Sequence, residues 1–318
     1  MTSVVFMGTP QFAVPILEAL VADHYDVRAV ITQPDRRVGR KQLLEQSPVK
    51  QAAVRLGLHV LQPEKLSKSP ELDEAIALAP DLIITAAYGQ FLPVRFLNAA
   101  KIAALNVHGS LLPRWRGGAP IQYSILSGDS ATGVTIMEMV KAMDAGGIYA
   151  QARLTLTPED DSGTVFEKLS LIGRDLLLRV LPQIIDGTLK PLPQEEKHVT
   201  FSPTITKDQE QLDFTLPAKQ VDQWVRALRP EVGGYVVING QRVKLWAVTP
   251  LKATTDAKSG EVVERTKKQL IVAAGDHTQL QIDTLQPAGK AAQPIAAYLN
   301  GAGQAIKKGD QLIEPTTK

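Results

Sequence analysis

Asn106, His108 and Asp144 have the side-chain types needed for acyl transfer. Asn106 and His108 stand two residues apart at the end of the apolar run Ala103-Ala104-Leu105. An extended strand therefore carries both on one face. An Asn amide can donate a hydrogen bond to a developing oxyanion. An imidazole can accept a proton or, as imidazolium, donate one. A neighbouring carboxylate can orient that ring and hold its charge. Together the three suit attack of an amine on an acyl carbon through a tetrahedral intermediate. A structural reading stands beside this one. His108 also reads as a hydrogen-bonded strand-end residue, and Asp144 as a turn former ahead of Gly146-Gly147. Spacing alone leaves both open.

Other chemistries lose their usual support. The chain has no Gly-x-x-x-x-Gly-Lys-Ser/Thr loop and no Gly-x-Ser-x-Gly, and its first apolar run ends in Gly8-Thr9-Pro10 rather than a dinucleotide fingerprint. No His, Asp or Glu cluster has metal-ligand spacing. With no cysteines, disulfides, thiolate metal sites and a cysteine nucleophile are excluded. A basic stretch, Arg36, Arg37, Arg40 and Lys41, reads either as a solvated loop or as a contact for a phosphate backbone. Trp115 lies between Arg114 and Arg116 and suits stacking on a flat ring or packing at a loop base.

The elements that must position these residues follow from pattern. Val4 to Gly8, Val27 to Thr32, Val60-Leu61, Leu82 to Ala86 and Ala103 to Val107 read as buried strands. Helical spacing over 12–22, a helix start at Ser47-Pro48, and further helices over 71–78, 119–127 and 165–185 alternate with them. Gly133 to Met139 and Ile148 to Leu156 add two strands, joined by the loop that holds Asp144. Gln33 to Glu45 reads as a polar loop. The alternation predicts an α/β domain over about 1–190: a doubly wound, mostly parallel, Rossmann-like sheet with helices on both faces. Ligands in such sheets bind beyond the carboxyl ends of the strands, where Asn106 and His108 stand.

The texture changes after about 190. Pro191 and Pro193 mark a connector over 191–206, and Ala218 to Leu228 is an amphipathic helix. From Gly234 short strands follow at regular spacing, two of them flanking Asn239-Gly240, a strong hairpin signal. This predicts a small C-terminal β-barrel over 207–318, of the five-stranded OB-like kind. That part holds 15 basic and 12 acidic residues, so it is only mildly basic.

The formal net charge of +2 gives no overall field that would draw the chain to nucleic acid or membrane. Met1-Thr2-Ser3 has no basic leader region, and the apolar run Ala75 to Ala87 is interrupted by Pro80 and Asp81. The expectation is a cytoplasmic protein with no membrane partner.

At the site residues a resemblance enters. Asn106-Val107-His108-Gly109-Ser110-Leu111-Leu112-Pro113-Arg114-Trp115-Arg116-Gly117, followed by Asp144-Ala145-Gly146, is similar to the signature of the 10-formyltetrahydrofolate-dependent formyltransferases. Phe6 to Ala13, Thr32 to Arg36 with the basic stretch after it, Ser47-Pro48-Val49-Lys50 and Ala119-Pro120-Ile121-Gln122 resemble the methionyl-tRNA members of that family. Two stretches depart from the family's pattern: Arg40-Lys41-Gln42-Leu43 lacks a second glycine, and Val140-Lys141-Ala142-Met143 lacks the usual acidic or glycine residue.

The resemblance implies a formyl transfer from 10-formyltetrahydrofolate to the α-amino group of methionyl-initiator tRNA, without a metal. It implies a catalytic trio of Asn106, His108 and Asp144. It implies a folate site at Tyr88, Gly89, Gln90, Phe91, Ser110, Leu111, Leu112 and Pro113. It implies tRNA contacts at Arg36, Arg37, Arg40, Lys41 and Lys207. A monomer is expected. The alternatives are a sugar-nucleotide formyltransferase, which would use the same trio without tRNA, and a folate- or RNA-binding protein without catalysis.

Overall fold

A computed structural model describes residues 1–38 and 42–314, and the chain divides into two compact units. The first comprises Met1–Pro120, Ala131–Thr155 and Phe166–Pro203; the second comprises Ile121–Ser130, Leu156–Val165 and the chain from Thr204 on.

From the N-terminus the elements are β1 (Ser3–Gly8), α1 (Val14–Ala22), β2 (Asp26–Ile31), β3 (Arg36–Val38), β4 (Leu43–Glu45), α2 (Pro48–Arg55), β5 (Val60–Leu61) and α3 (Pro70–Ala77). Next come β6 (Leu82–Ala86), α4 (Val94–Leu97), β7 (Ala103–His108), α5 (Pro120–Leu126), β8 (Ala131–Glu138), β9 (Ile148–Thr155) and α6 (Ser162–Ile185). Seven strands form one sheet in the order β5-β2-β1-β6-β7-β8-β9. The pairings from β5 to β7 are parallel, and those of β7 with β8 and β8 with β9 are antiparallel. Only β8 therefore runs against the rest. The mostly parallel α/β architecture follows from runs such as Val4-Val5-Phe6-Met7 and Leu82-Ile83-Ile84. These are fully buried, as strands covered on both faces require.

Helix starts are local chemistry. The Ser47 hydroxyl accepts from the Lys50 N–H and Pro48 opens α2; the Ser69 hydroxyl accepts from the Leu72 N–H and Pro70 opens α3. The polar stretch after β2 differs from the loop expected there. Arg36–Val38 pairs with Leu43–Glu45 as a hairpin, with Arg36 opposite Glu45 and Arg37 opposite Leu44. Strands this short, bearing charges at both ends, give no apolar alternation to read.

The second unit holds α7 (Ala218–Leu228), β10 (Tyr235–Ile238), β11 (Gln241–Thr254), β12 (Val262–Arg265), β13 (Leu270–Ala273), β14 (Thr278–Pro287), β15 (Gln293–Pro294) and α8 (Ile295–Leu299). Its antiparallel sheet runs β10-β11-β14-β13-β12, with β15 on β14. Asn239 and Gly240 both have positive φ, 51° and 71°, and close the β10–β11 hairpin as a primed turn demands. Val221, Val225 and Leu228 repeat at helical spacing on α7, and the first two enter the unit's core with Leu245, Leu280 and Ile282. Among the described pairings none joins β10 to β12, so the architecture is an antiparallel β domain without a shown barrel closure.

Candidate active site

β7 delivers the first two members of the trio. Thr85 of β6 lies opposite Asn106 and donates its hydroxyl to Asn106 Oδ1 at 2.9 Å. The amide is thereby oriented, and its Nδ2 points to Asp144 Oδ1 at 3.5 Å. His108 is 5 % exposed, and its Nε2 lies 3.0 Å from the Trp115 carbonyl. A carbonyl only accepts, so Nε2 carries hydrogen and donates it. Nδ1 is then the nitrogen facing Asp144, with Oδ2 at 3.8 Å. That is an ion-pair distance rather than a hydrogen bond. Asp144 Oδ2 accepts instead from the Gly117 N–H at 2.9 Å.

Asp144 reaches this position because β8 runs backwards. Thr135 stands opposite His108 and Glu138 opposite Leu105, so β8 runs past the His108 level and the chain leaves the sheet three residues beyond it. Residues 139–147 climb back to it. Asp144 takes a left-handed backbone conformation there, φ 49°, which Asp tolerates better than most residues. Gly146 passes so close to Glu138 that an added Cβ would lie 1.9 Å from the Glu138 carbonyl oxygen. Only glycine fits.

The 110–113 segment is held from behind. The Thr135 hydroxyl donates to the Ser110 carbonyl at 2.7 Å and accepts from the Leu112 N–H at 3.1 Å. Gln151 Nε2 adds bonds to the Leu112 carbonyl and the Thr135 hydroxyl. Ser110 and Leu112 are buried, while Leu111 and Pro113 are half-buried. Arg114 lies over the Trp115 ring, 4.4 Å from guanidinium carbon to centroid. Arg116 turns inward and is 5 % exposed.

A cleft of about 680 Å³ is lined by Thr9, Pro10, Gln33, Glu64, Lys65 and residues 87–91. Its lining follows the carboxyl ends of β1, β2, β5 and β6 and does not include the trio. Tyr88 presents its backbone, whose carbonyl accepts from Thr9 Oγ1 at 3.1 Å and Gln33 Nε2 at 3.2 Å. Its ring is buried, its hydroxyl has no partner among the described residues, and burial pushes the phenol up out of its ordinary range. The Gln90 carboxamide oxygen accepts from the Leu66 N–H at 2.9 Å, whereas Phe91 is mostly exposed.

The hairpin β3–β4 stands on a firm base. Lys50 Nζ donates to both Asp35 oxygens at 2.7 and 2.9 Å, and Gln62 Nε2 donates to Asp35 at 2.8 Å. The Gln62 bond, then the Lys50 bonds, hold the Asp35 carboxyl below the usual carboxylate range. Farther out, Arg36 meets Glu64 at 2.9 Å and Arg37 donates to the Gln42 carbonyl at 3.1 Å. Arg40 and Lys41 lie outside the described residues. Lys207, in the second unit, is exposed at the start of a short helical turn.

The structure thus brings Asn106, His108 and Asp144 together and puts Tyr88 to Phe91 along a separate lining. Sequence reasoning missed Thr85, Thr135 and Gln151. Each is a lone polar residue in an apolar run or at an edge, with a partner far away in sequence. Among the described residues no group of three His, Cys, Asp or Glu is placed to hold a metal.

Comparison with known proteins supplies the class. Residues 1–181 match the formyl transferase family model, and residues 204–303 match that family's C-terminal domain. Solved structures with this fold include the sugar 3N-formyl transferase WlaRD, with TM-score 0.67 and 17 % identity, covering 92 % of this chain and 99 % of that one. An N-formyltransferase from Helicobacter canadensis aligns with TM-score 0.69 and 18 % identity over 90 % of this chain and 100 % of that one. At such identities the likeness is one of fold. The full-length relatives are nearer. Methionyl-tRNA formyltransferase of Lacticaseibacillus casei is 67 % identical over 98 % of both chains, and that of Enterococcus faecalis is 54 % identical over 98 % of this chain and all of the other. The chain belongs to the methionyl-tRNA formyltransferase family.

Proposed function

We propose that the chain transfers the formyl group of 10-formyltetrahydrofolate to the α-amino group of methionyl-initiator tRNA. The observation that carries the chemistry is the convergence of Asn106, His108 and Asp144, with Nδ2 and Nδ1 facing one carboxylate at 3.5 and 3.8 Å. The Nδ2 contact is long, and Nδ1 becomes a donor when the ring is protonated. Both suit an oxyanion that arrives only with the reaction, when such contacts tighten.

The free amine attacks the formyl carbon. Asn106 Nδ2 and protonated His108 Nδ1 stabilise the oxyanion, and Asp144 holds the imidazolium and relays the amine proton. The bond from formyl carbon to the folate nitrogen then breaks. That nitrogen takes the proton, so formylated methionyl-tRNA and tetrahydrofolate leave. These steps ask for charge stabilisation and proton transfer by side chains.

Tyr88, Gly89, Gln90 and Phe91 with Ser110, Leu111, Leu112 and Pro113 are the folate-binding set in this reading. Arg36, Arg37, Arg40, Lys41 and Lys207 meet the tRNA. Residues 1–190 form the catalytic domain, 191–206 the connector and 207–318 an OB-like tRNA-binding domain. The register shifts in the β11–β14 pairing, which bend both long strands, support the OB-like reading. Among the described residues no helix is long and apolar enough to cross a membrane, and the reading is of a cytoplasmic monomer. Full-length relatives at 54–67 % identity favour tRNA over a sugar nucleotide as acceptor.

A formyl-transfer assay on methionylated initiator and elongator tRNA tests this. Transfer should require charged tRNA and favour the initiator. Transfer to an amino-sugar nucleotide instead, with none to tRNA, would overturn it.

A further inference from the structure

Residues 194–202 have the composition of a connector, yet their hydrogen bonds run to the trio's supports. Gln194 Nε2 donates to the carbonyls of Asp144 at 2.7 Å and Gly146 at 2.8 Å. Its Oε1 accepts from Arg116 Nε at 3.0 Å. Both amide hydrogens and the oxygen are therefore engaged. The amide cannot be reversed without setting oxygen against two carbonyls. Arg116, itself buried, is fixed by a second arm on Glu196 at 2.9 Å. The Asp144 loop needs such holding, because it combines a left-handed aspartate with the close passage at Gly146.

The His108 side is tied to the same stretch. The Trp115 carbonyl that accepts from His108 also lies 3.2 Å from the fully buried Ser202 hydroxyl, whose single hydrogen it shares with the Arg116 carbonyl at the same distance. The Trp115 N–H donates to Thr200 Oγ1 at 3.0 Å.

We propose that Gln194 is a positioning residue of the active site and sets the Asp144 loop. It touches no reacting atoms. Its effect on turnover rests on the formyl-transfer reading, but the geometry can be read without it. Small displacements of a catalytic group cost large factors in rate, roughly 10²-fold for about 1 Å.

The test uses the full chain with two substitutions. Gln194→Met keeps the side chain's length and removes its hydrogen bonds. It should lower kcat about 10²-fold, with KM for folate and tRNA within about two-fold, the pattern of an interaction that matters in the transition state. It should also displace the His108 ring signals in ¹H–¹⁵N spectra. Gln194→Glu keeps the contact with Arg116 but turns an oxygen on the Asp144 and Gly146 carbonyls. The groups facing it are Arg116, Glu196 and Asp144. Its kcat relative to the parent should rise as pH is lowered and the new carboxyl gains a hydrogen to donate.

A kcat per folded molecule and His108 signals equal to the parent's in Gln194→Met would overturn the proposal, even if Tm fell. If that variant does not fold, Gln194→Glu decides, and a flat ratio to the parent across pH overturns it. A parent chain that forms no formyl-methionyl-tRNA would sink the functional reading instead, and the His108 signals would still judge the positioning.

Discussion

The trio beneath the end of β7 and the hairpin β3–β4 both lie in the first unit and both present polar side chains, but they hold them differently. Asn106, His108 and Asp144 are braced by Thr85, the Trp115 carbonyl and the Gly117 N–H, and His108 is almost wholly buried. Arg36 and its partner Glu64 are 59 % and 71 % exposed, and Arg37 leans on a turn carbonyl. The contrast follows from the two jobs. An oxyanion forms briefly, and donors stabilise it without reorganising only if they are already aimed. A phosphate backbone attracts cations over a distance and tolerates many arrangements of them. An exposed pair such as Arg36–Glu64 is worth little and can be exchanged for a phosphate.

The largest effect should come from the braced region. His108→Ala and Asp144→Asn are each expected to lower kcat by roughly 10²–10⁴-fold, as loss of a positioned proton-transfer group does. Folate binding, measured by titration, should stay near the parent's. Near-normal turnover in either variant would remove that residue from the trio.

The second effect belongs to the hairpin. Replacing Arg36, Arg37, Arg40 and Lys41 together by Ala should weaken tRNA use at least tenfold and flatten the slope of log K against log salt by about 0.7–0.9 per lost contact. Thermal stability should change little at Arg36 and Arg37, since exposed substitutions cost within about ±0.5 kcal/mol each. An unchanged salt slope would make this hairpin a solvated surface and end the comparison.

The third, smaller, concerns the one place where the hairpin is built like the site. Asp35→Asn keeps the shape but removes the charge that Lys50 grips at two oxygens. We expect KM for tRNA to rise a few-fold while kcat at saturation and KM for folate hold. A fall in kcat instead would show the hairpin base to be coupled to the trio.

The smallest is a control outside both regions. The Asp81 carboxylate accepts from the Ser3 N–H and hydroxyl, both at 2.8 Å, and these bonds, with Lys101 beyond them, hold its carboxyl below the usual range. The folded chain therefore binds this proton less readily than the unfolded chain does. The stabilisation is present above the ordinary carboxylate value near 4 and is lost as pH falls through the lower, folded one. Asp81→Asn should flatten the acid limb of stability below about pH 4 and leave turnover at neutral pH unchanged. A loss of turnover would mean that any anchored carboxylate near the sheet matters, not the trio in particular.

Much of the sheet was legible because burial on both faces demands unbroken apolar runs, and Val4 to Met7, Leu82 to Ile84 and Ala103 to Leu105 are such runs. Ser47-Pro48 and Asn239-Gly240 carry their geometry in their own backbone preferences. The direction of β8 was not legible, since a strand's pattern is the same read either way, and that direction is what makes the Asp144 loop long. Asn106 and His108 could be paired by spacing. Asp144 could be set beside them from its chemistry and its loop between two strands, with a turn former as the open alternative, because a contact across 38 residues leaves no local mark. Gln194 left less still: one amide among prolines and glutamates, its meaning set by carbonyls 50 and 48 residues away.

The bridge of Phe201 to Arg116, with the Ser202 N–H on the Arg116 carbonyl at 2.8 Å and the Ala119 N–H on the Ser202 carbonyl at 3.0 Å, bears on how this chain can be divided. Three prolines and a run of charges make 191–203 look like the natural place for a protease to nick or for a gene to be split. The bonded ribbon at 200–202 makes it a poor one. A fragment ended at the close of α6 would keep every residue of the trio and lose the strip of backbone that lies along its loop. A fragment carried to Pro203 keeps both, and Pro203 is where the first unit ends.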